Sequence, residues 1–171
     1  INSSDIIFIC VGTPTKKGSL NVDLSYVYKS CKEVLKHTKN KKILVVGAGG
    51  FIGGHLVNRL LNDGNSIVAS DIKPKEFWFQ DFEKAENYYS MDMKDIVNCK
   101  KVTKGVDYVF NMACNMGGMG FIENNKAECM QSVLINTNLL IACKEDNVSK
   151  YFFSSSACAY NKTKQQEVFI E

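Results

Sequence analysis

The stretch that most constrains this chain runs from Lys42 to Asp71, KILVVGAGGFIGGHLVNRLLNDGNSIVASD. Ile43-Leu44-Val45-Val46 is a short unbroken apolar run, the pattern of a strand buried on both faces of a parallel sheet. It breaks at Gly47-Ala48-Gly49-Gly50-Phe51-Ile52-Gly53. Apolar residues then recur at helical spacing, at Ile52, Leu56 and Leu60 and again at Val57 and Leu61. Gly64 supplies a helix stop, and residues 66–70 form a second strand that delivers Asp71. Each part meets a need in holding a dinucleotide. Gly47 allows the tight turn off the strand, Gly50 lets backbone approach a pyrophosphate, and Gly53 lets the helix pack closely on the sheet. With Gly49, Phe51 and Ile52 they make a cradle in which free N–H groups and the positive helix end face the phosphates. Asp71 is placed to accept from an adenosine ribose hydroxyl, which favours NAD over NADP. A glycine-rich turn in an ordinary α/β protein is the plainer alternative. The glycines alone would not separate the two, but strand, turn, helix, second strand and terminal acid together do.

A chain of 171 residues suits one domain with a real core, and 45% hydrophobic with 23% charged residues are globular averages. A net charge of +3 without a dense basic run gives no argument for nucleic acid. No apolar run reaches the length of a membrane span, and no signal peptide opens the sequence. The seven cysteines, at 10, 31, 99, 114, 129, 143 and 158, form no C-x-x-C pair. Their odd number and spacing fit reduced thiols in a cytoplasmic protein, with no metal site expected. The first residue is Ile1 and the last, Glu171, follows a predicted strand closely, so the chain reads as a piece of a longer one, truncated at its C-terminus.

The spacing G-x-x-G-x-x-G followed by His55-Leu56 resembles the extended short-chain dehydrogenase/reductase superfamily, which includes nucleotide-sugar epimerases and dehydratases. That resemblance spans residues 42–167 and implies an α/β, Rossmann-type doubly wound parallel sheet. Residues 1–40 read differently. Residues 5–11 form a buried strand, Gly12-Thr13-Pro14-Thr15 a turn, and residues 23–37 a helix capped by Asp23 with Leu24, Val27, Cys31 and Leu35 on one face. The words SDIIFICVGTPT and DLSYV resemble the NAD domain of the UDP-glucose/GDP-mannose dehydrogenase family. That family's glycine turn and its catalytic Cys and Lys are not in this segment. The sequence therefore divides into a dehydrogenase-like strand–helix piece, 1–40, and an incomplete NAD-binding domain, 41–171, joined near residues 38–41.

Beyond Asp71, Phe77, Trp78, Phe79 and Phe82 suit either a lid over the adenine or packing on the domain edge. Residues 88–91 form a third strand ending at Asp92. In the superfamily an acid there contacts the adenine amino group; a cap for a helix over residues 93–104 is the alternative, and one residue can do both. Residues 106–113 form a fourth strand, and its end, Asn111-Met112-Ala113-Cys114, resembles the N-x-A-A word that lines the nicotinamide side. Next, Met116-Gly117-Gly118-Met119-Gly120-Phe121-Ile122 resembles the GDP-mannose 3,5-epimerase family, where this loop sits against the sugar nucleotide. A plain flexible loop is the alternative. One long helix is expected over residues 123–146 and a fifth strand over residues 151–156. Ser156-Ala157-Cys158-Ala159-Tyr160 resembles that family's S-A-C-x-Y.

The resemblance implies a mechanism. NAD takes hydride from C4 of the hexose, the ketone acidifies the C3 and C5 protons, an acid/base pair moves them between faces, and C4 is re-reduced. Cys158 matches the family's acid/base Cys, and Ser156 the Ser that hydrogen-bonds the oxygen being oxidised. An inert buried thiol is the alternative for Cys158. Tyr160 and Lys164 have the Tyr-x-x-x-Lys spacing but follow the Ser strand immediately, so Tyr160 matches the non-catalytic Tyr instead. The implied ligand is a nucleotide sugar, with a GDP-hexose favoured, and the implied assembly a homodimer. Another nucleotide-sugar epimerase or dehydratase, a sugar-nucleotide 6-dehydrogenase, and a noncatalytic NAD-binding module are the competing functions.

Overall fold

The computed structural model describes residues 6–9, 25–26, 29–30, 41–82, 85, 87–115, 117 and 119–155. Its strands are β1 (Ile6–Ile9), β2 (Lys42–Val46), β3 (Ser66–Asp71), β4 (Asn87–Ser90), β5 (Tyr108–Asn111) and β6 (Lys150–Ser154). The helices are α1 (Phe51–Asn62), α2 (Ile96–Val102), α3 (Met119–Asn124) and α4 (Lys126–Glu145), with a 3-10 turn at Lys75–Phe77. The strands form one sheet in the order β1-β6-β5-β2-β3-β4, every pair parallel. β2 is central, with Leu44 opposite Val68 on one side and Val109 on the other. This is the Rossmann-type α/β fold.

Alternation along the strands makes two cores, one on each face. Ile43 and Val45 point to the α1 face, with Leu56, Val57, Leu60, Phe110 and Phe152. Leu44 and Val46 point to the opposite face, with Cys99 and Val102 of α2 and Leu139, Ala142 and Cys143 of α4. Parallel strands need crossover connections, and the crossovers cover both faces.

Three expected elements differ in detail. The long helix is two, because Asn125 leaves helical geometry at φ −127°, ψ 44°. Its side-chain amide donates to Phe121 O at 2.9 Å, closing α3, while its carbonyl accepts from Cys129 N at 3.0 Å and starts α4. The helix after the third strand begins later than expected, and its cap is Asp95 rather than Asp92. Asp95 Oδ1 accepts from Val97 N at 2.8 Å, whereas Asp92 Oδ1 accepts from Lys94 N in the preceding turn. β5 is also shorter than residues 106–113, since Val106 N donates to Thr103 O in a turn. Of the helix over residues 23–37, the described residues Ser25, Tyr26, Lys29 and Ser30 are helical.

Candidate functional site

The glycine loop is held by backbone contacts that leave no space for side chains. Gly47 has φ +81°, and a Cβ there would lie 2.8 Å from Ala113 N. A Cβ on Gly53 would lie 2.1 Å from Gly47 O, so α1 packs directly on the turn. Gly49 meets an aromatic wall: its Cβ would lie 2.7 Å from Trp78 Cδ1. Trp78 is anchored by donation from Nε1 to Lys73 O at 2.8 Å, and Phe79 N donates to Gly49 O at 3.1 Å. Residues 73–82 therefore strap the loop from outside. Trp78 and Phe82 join the α1-face core. Phe77 and Phe79 remain exposed, and Phe79 meets Phe51 edge-on at 4.8 Å.

Gly50 behaves differently. It is the N-cap of α1 and carries no side-chain cap, and the first turn of the helix holds no acidic residue. The first-turn N–H groups have no intrahelical acceptor. Among the described residues no side chain caps them, an arrangement suited to an anion. Among the described residues, the only neighbour a Cβ on Gly50 would meet closely is Gly47 O, at 3.3 Å, so a ligand can come near the backbone there.

Asp71 ends β3 and is 7% exposed. Its Oδ2 accepts from Gly49 N at 2.9 Å and its Oδ1 from Lys73 N at 3.0 Å. The acid thus fixes the loop as well as facing the cleft, a role the spacing alone did not reveal.

The cleft, about 400 Å³, opens at the carboxyl ends of the strands. Gly47, Gly50, Asp71, Asp92, Met112 and Ala113 line it, while Gly49, Phe51, Ile52 and Gly53 support its wall without lining it. The structure adds Lys73, Met91, Lys94, Cys114, Asn115, Gln131 and Ile135. Lys94 Nζ lies 3.3 Å from Asp92 Oδ2 and donates to Gln131 Oε1 at 3.3 Å, bridging the β4 loop to α4. The Lys94–Gln131 contact joins residues 37 apart in sequence, and no local word announces it. Beneath the far wall, Asn111 is buried, donating to Tyr151 Oη at 3.0 Å and accepting from Ala113 N at 3.2 Å. It therefore shapes the Met112–Ala113 turn from below. Cys114 is exposed on the cleft, where partial desolvation by its neighbours raises its thiol, with Cys129 adding to the effect. Gly117 packs on Phe121, where a Cβ would lie 2.7 Å from the phenyl Cβ. Met116, Gly118, Ser156, Ala157 and Cys158 lie outside the described residues.

Residues 43–171 match the model of the NAD dependent epimerase/dehydratase family. The chain belongs to that family. Residues 1–54 match the UDP-glucose/GDP-mannose dehydrogenase family, NAD binding domain. The GDP-mannose 3,5-epimerase of Arabidopsis thaliana is 39% identical over 145 residues, covering 84% of this chain and 38% of that protein. Among solved structures, the UDP-N-acetylglucosamine 4-epimerase from Methanobrevibacter ruminantium M1, in complex with UDP-N-acetylmuramic acid, superposes with a TM-score of 0.64 at 28% identity. The match covers 77% of this chain and 43% of that one. MoeE5 in complex with UDP-glucose and NAD superposes with a TM-score of 0.60 at 28% identity, over 70% and 38% of the two chains. The chain spans about two fifths of the length of these relatives.

NAD is the cofactor of the epimerase/dehydratase family, and the residues present fit it. Gly50 leaves open the approach a pyrophosphate needs, the uncapped α1 end supplies donors, and Asp71 offers a carboxylate at the ribose position. Among the described residues there is no cluster of groups able to hold a metal, and no helix is long and apolar enough to cross a membrane.

Proposed function

We propose that this family member is the NAD-binding portion of a nucleotide-sugar epimerase acting on a GDP-hexose, similar to GDP-mannose 3,5-epimerase. The observation that carries the reading is one cleft with two distinct walls. The Asp71-braced glycine loop stands on one side, and the Met112–Asn115 turn, leading into the glycine-rich 116–120 segment, on the other. The first wall suits a dinucleotide, and the second leads to the words shared with the epimerase family. The identity to the Arabidopsis enzyme supports the substrate class.

Bound in the cleft, NAD would supply a reversible oxidation of the sugar. This chain's own residues take part of the remaining work. The α1 N-terminus holds the pyrophosphate, and Asp71 accepts from the ribose hydroxyls. Asp92, whose carboxylate is half-exposed on the cleft, accepts from the adenine amino group. Ser156 hydrogen-bonds the oxygen at the oxidised carbon, and Cys158 moves a proton at the neighbouring carbon, which needs a thiol pKa near neutrality. Further groups of the reaction belong to sequence outside these 171 residues. The exposed apolar side chains of Met130, Val133, Leu134 and Ile141 along α4 support pairing with a second copy. The free buried thiols of Cys99 and Cys143 support a reducing, cytoplasmic setting. The division near residue 40 into two pieces belongs to this proposal as well.

Two measurements test the reading. Calorimetry with the present chain should show NAD binding that does not require the sugar nucleotide. A chain extended to the length of its relatives, given GDP-mannose in deuterated water, should exchange the C3 and C5 protons. Cys158→Ser should nearly abolish that exchange and leave NAD affinity within about twofold, because a hydroxyl is a far weaker acid/base near neutral pH. Exchange at the parent rate in Cys158→Ser would remove the thiol from the chemistry.

A further inference from the structure

Between β4 and α2 the chain makes a tight turn over residues 92–95, closed by Asp95 N donating to Asp92 O at 3.2 Å. Asn98 Nδ2 of α2 donates to the same oxygen at 3.0 Å, so the Asp92 main chain is fixed from two sides. Lys94 grips the Asp92 carboxylate twice: Oδ1 accepts from Lys94 N at 2.9 Å, and Oδ2 lies 3.3 Å from Lys94 Nζ. Lys94 is in turn tied to α4 at both ends. Its Nζ donates to Gln131 Oε1 at 3.3 Å, and its main-chain oxygen accepts from Asn138 Nδ2 at 2.8 Å. Asp92, Lys94 and Gln131 all line the cleft.

We propose that Lys94 is a positioning residue that makes the cleft select adenine among purine bases, acting through Asp92. The inference rests on the reading that Asp92 accepts from the adenine amino group. An ionised carboxylate can only accept, so it suits an exocyclic amino group and opposes a carbonyl oxygen in the same place. That selection holds only while the carboxylate keeps one orientation. The last torsion of an aspartate is soft, and the turn N–H on Oδ1 alone would leave it a pivot. The ammonium on Oδ2 engages the second oxygen and removes the pivot. Each carboxylate oxygen has two acceptor positions, so room for the base remains. The ammonium also offsets a charge that a bound base would cut off from water. Once free to turn, the carboxylate reaches the ring N–H that hypoxanthine carries beside its oxo group, and the selection narrows. An ion pair with side chains 36% and 37% exposed adds little to fold stability. Its effect therefore lies in which base binds.

Calorimetry of the 171-residue chain with NAD and with nicotinamide hypoxanthine dinucleotide tests it, since the two differ by an amino against an oxo group on the base. The unmodified chain should bind NAD at least about tenfold more tightly. Lys94→Met keeps the main-chain contacts of the turn and removes the ammonium. Its affinity ratio should fall to about threefold or less, with the urea midpoint little changed. Lys94→Arg, which can engage both the carboxylate and Gln131, should return the ratio to within about twofold of the unmodified chain. Asp92→Asn should bring the ratio close to one, because an amide can accept or donate. If the unmodified chain and Asp92→Asn share one ratio, Asp92 does not read the base, and the inference falls with that reading. Binding of neither dinucleotide has the same consequence. If Asp92→Asn loses the ratio and Lys94→Met keeps it, the Asp92 reading stands and the role of Lys94 is overturned. An equal loss of both dinucleotides in Lys94→Met, at an unchanged ratio, would make Lys94 a plain cation for phosphate and overturn the inference too. Should Lys94→Met not fold, Gln131→Ala, which unties the ammonium from α4, decides the matter: its ratio should fall at least about twofold, and an unchanged ratio overturns the proposal.

Discussion

The two walls of the cleft are rigid for opposite reasons. On the β2–β3 side rigidity comes from missing side chains: Gly47 and Gly53 bring backbone onto backbone, and a single carboxylate, Asp71, ties the loop to the sheet. On the β5–β6 side it comes from side chains that satisfy one another. Asn111 Nδ2 donates to Tyr151 Oη at 3.0 Å and lies 3.3 Å from Asn136 Oδ1, while Tyr151 Oη donates to Asn136 Oδ1 at 2.8 Å. Burial pushes the Tyr151 phenol well up, so it stays protonated as the donor this triangle needs. The first wall is a local device, written within one stretch of sequence. The second is a long-range one, drawn from β5, α4 and β6. Substitutions should therefore fail differently on the two sides.

The largest effect belongs to the first wall. Gly53→Ala places a methyl where Gly47 O and its carbonyl carbon stand, at 2.1 and 2.8 Å, and neither can move without opening the turn. A loss of about 3 kcal/mol or more is expected in a urea titration, the range of severe overpacking. Gly54→Ala is the control one residue on. Its nearest neighbours are at 3.4 Å, and alanine is the better helix former, so its midpoint should be unchanged or higher. Equal destabilisation by the two would show that helix propensity, not the close approach, governs this wall.

The second wall should lose less, and cooperatively. Tyr151→Phe keeps the ring but leaves Asn111 and Asn136 each short of a partner, at a cost of about 1–3 kcal/mol. Asn136→Ala alone should cost a similar amount. The double variant should cost clearly less than the sum, because both remove parts of one network. Strict additivity in that cycle would mean the three groups do not act together.

How legible each wall was follows from the same contrast. The strand, glycine turn, helix and terminal acid around residues 42–71 could be read from spacing, and the helical stop at Gly64 fell within two residues of the end of α1. The bracing of Gly49 by Asp71 could not, because nothing in the motif distinguishes an acid that faces a ribose from one that also caps a loop. The break at Asn125 was hidden because the residues flanking it are helical in pattern, and only the side-chain bond to Phe121 O reveals the stop. Asp95 was missed as a cap because Asp92, three residues earlier, had an equal claim by residue type. Gln131 enters the cleft through a tertiary contact with Lys94, whereas Lys73 and Lys94 sit two residues past Asp71 and Asp92 and bond to them locally. The aromatic run was ambiguous until Gly49 supplied the flat surface on which Trp78 rests.

A smaller effect separates the two functions of Asp71. Asp71→Asn keeps one oxygen able to accept from Gly49 N, sets its NH2 against Lys73 N and removes the charge, so the fold should persist at a cost of about 1–3 kcal/mol. NAD affinity should fall about tenfold, equivalent to about 1.4 kcal/mol, and the preference over NADP should shrink, since a 2′-phosphate would no longer face a carboxylate. Calorimetry with both cofactors reads the ratio. An unchanged ratio would leave Asp71 as a brace for the loop and nothing more.

The smallest effect is a pH dependence carried by the α2–α4 face. Cys99 is fully buried, with Sγ donating to Met93 O at 3.2 Å, and burial, reinforced by Asp95, pushes its thiol from 9.0 to about 11. Burial likewise pushes Cys143 from 9.0 to about 12, with the Cys99 thiol and Asp146 adding to it. In both, the folded chain holds the proton more tightly than the unfolded chain does. Their contribution to stability is therefore fully present below pH 9.0 and is lost as pH rises through about 11 for Cys99 and about 12 for Cys143. Each thiol can steepen the decline by at most about 1.4 kcal/mol per pH unit. Cys99→Ala should lower stability at neutral pH through the atoms it removes. Its decline between pH 9 and 11 should nonetheless be shallower than that of the unmodified chain, and the difference in slope is the diagnostic quantity. Urea midpoints at intervals across that range would measure it. Parallel declines in the two chains would show that the Cys99 thiol ionises in place without strain, and that this face is looser than its packing indicates.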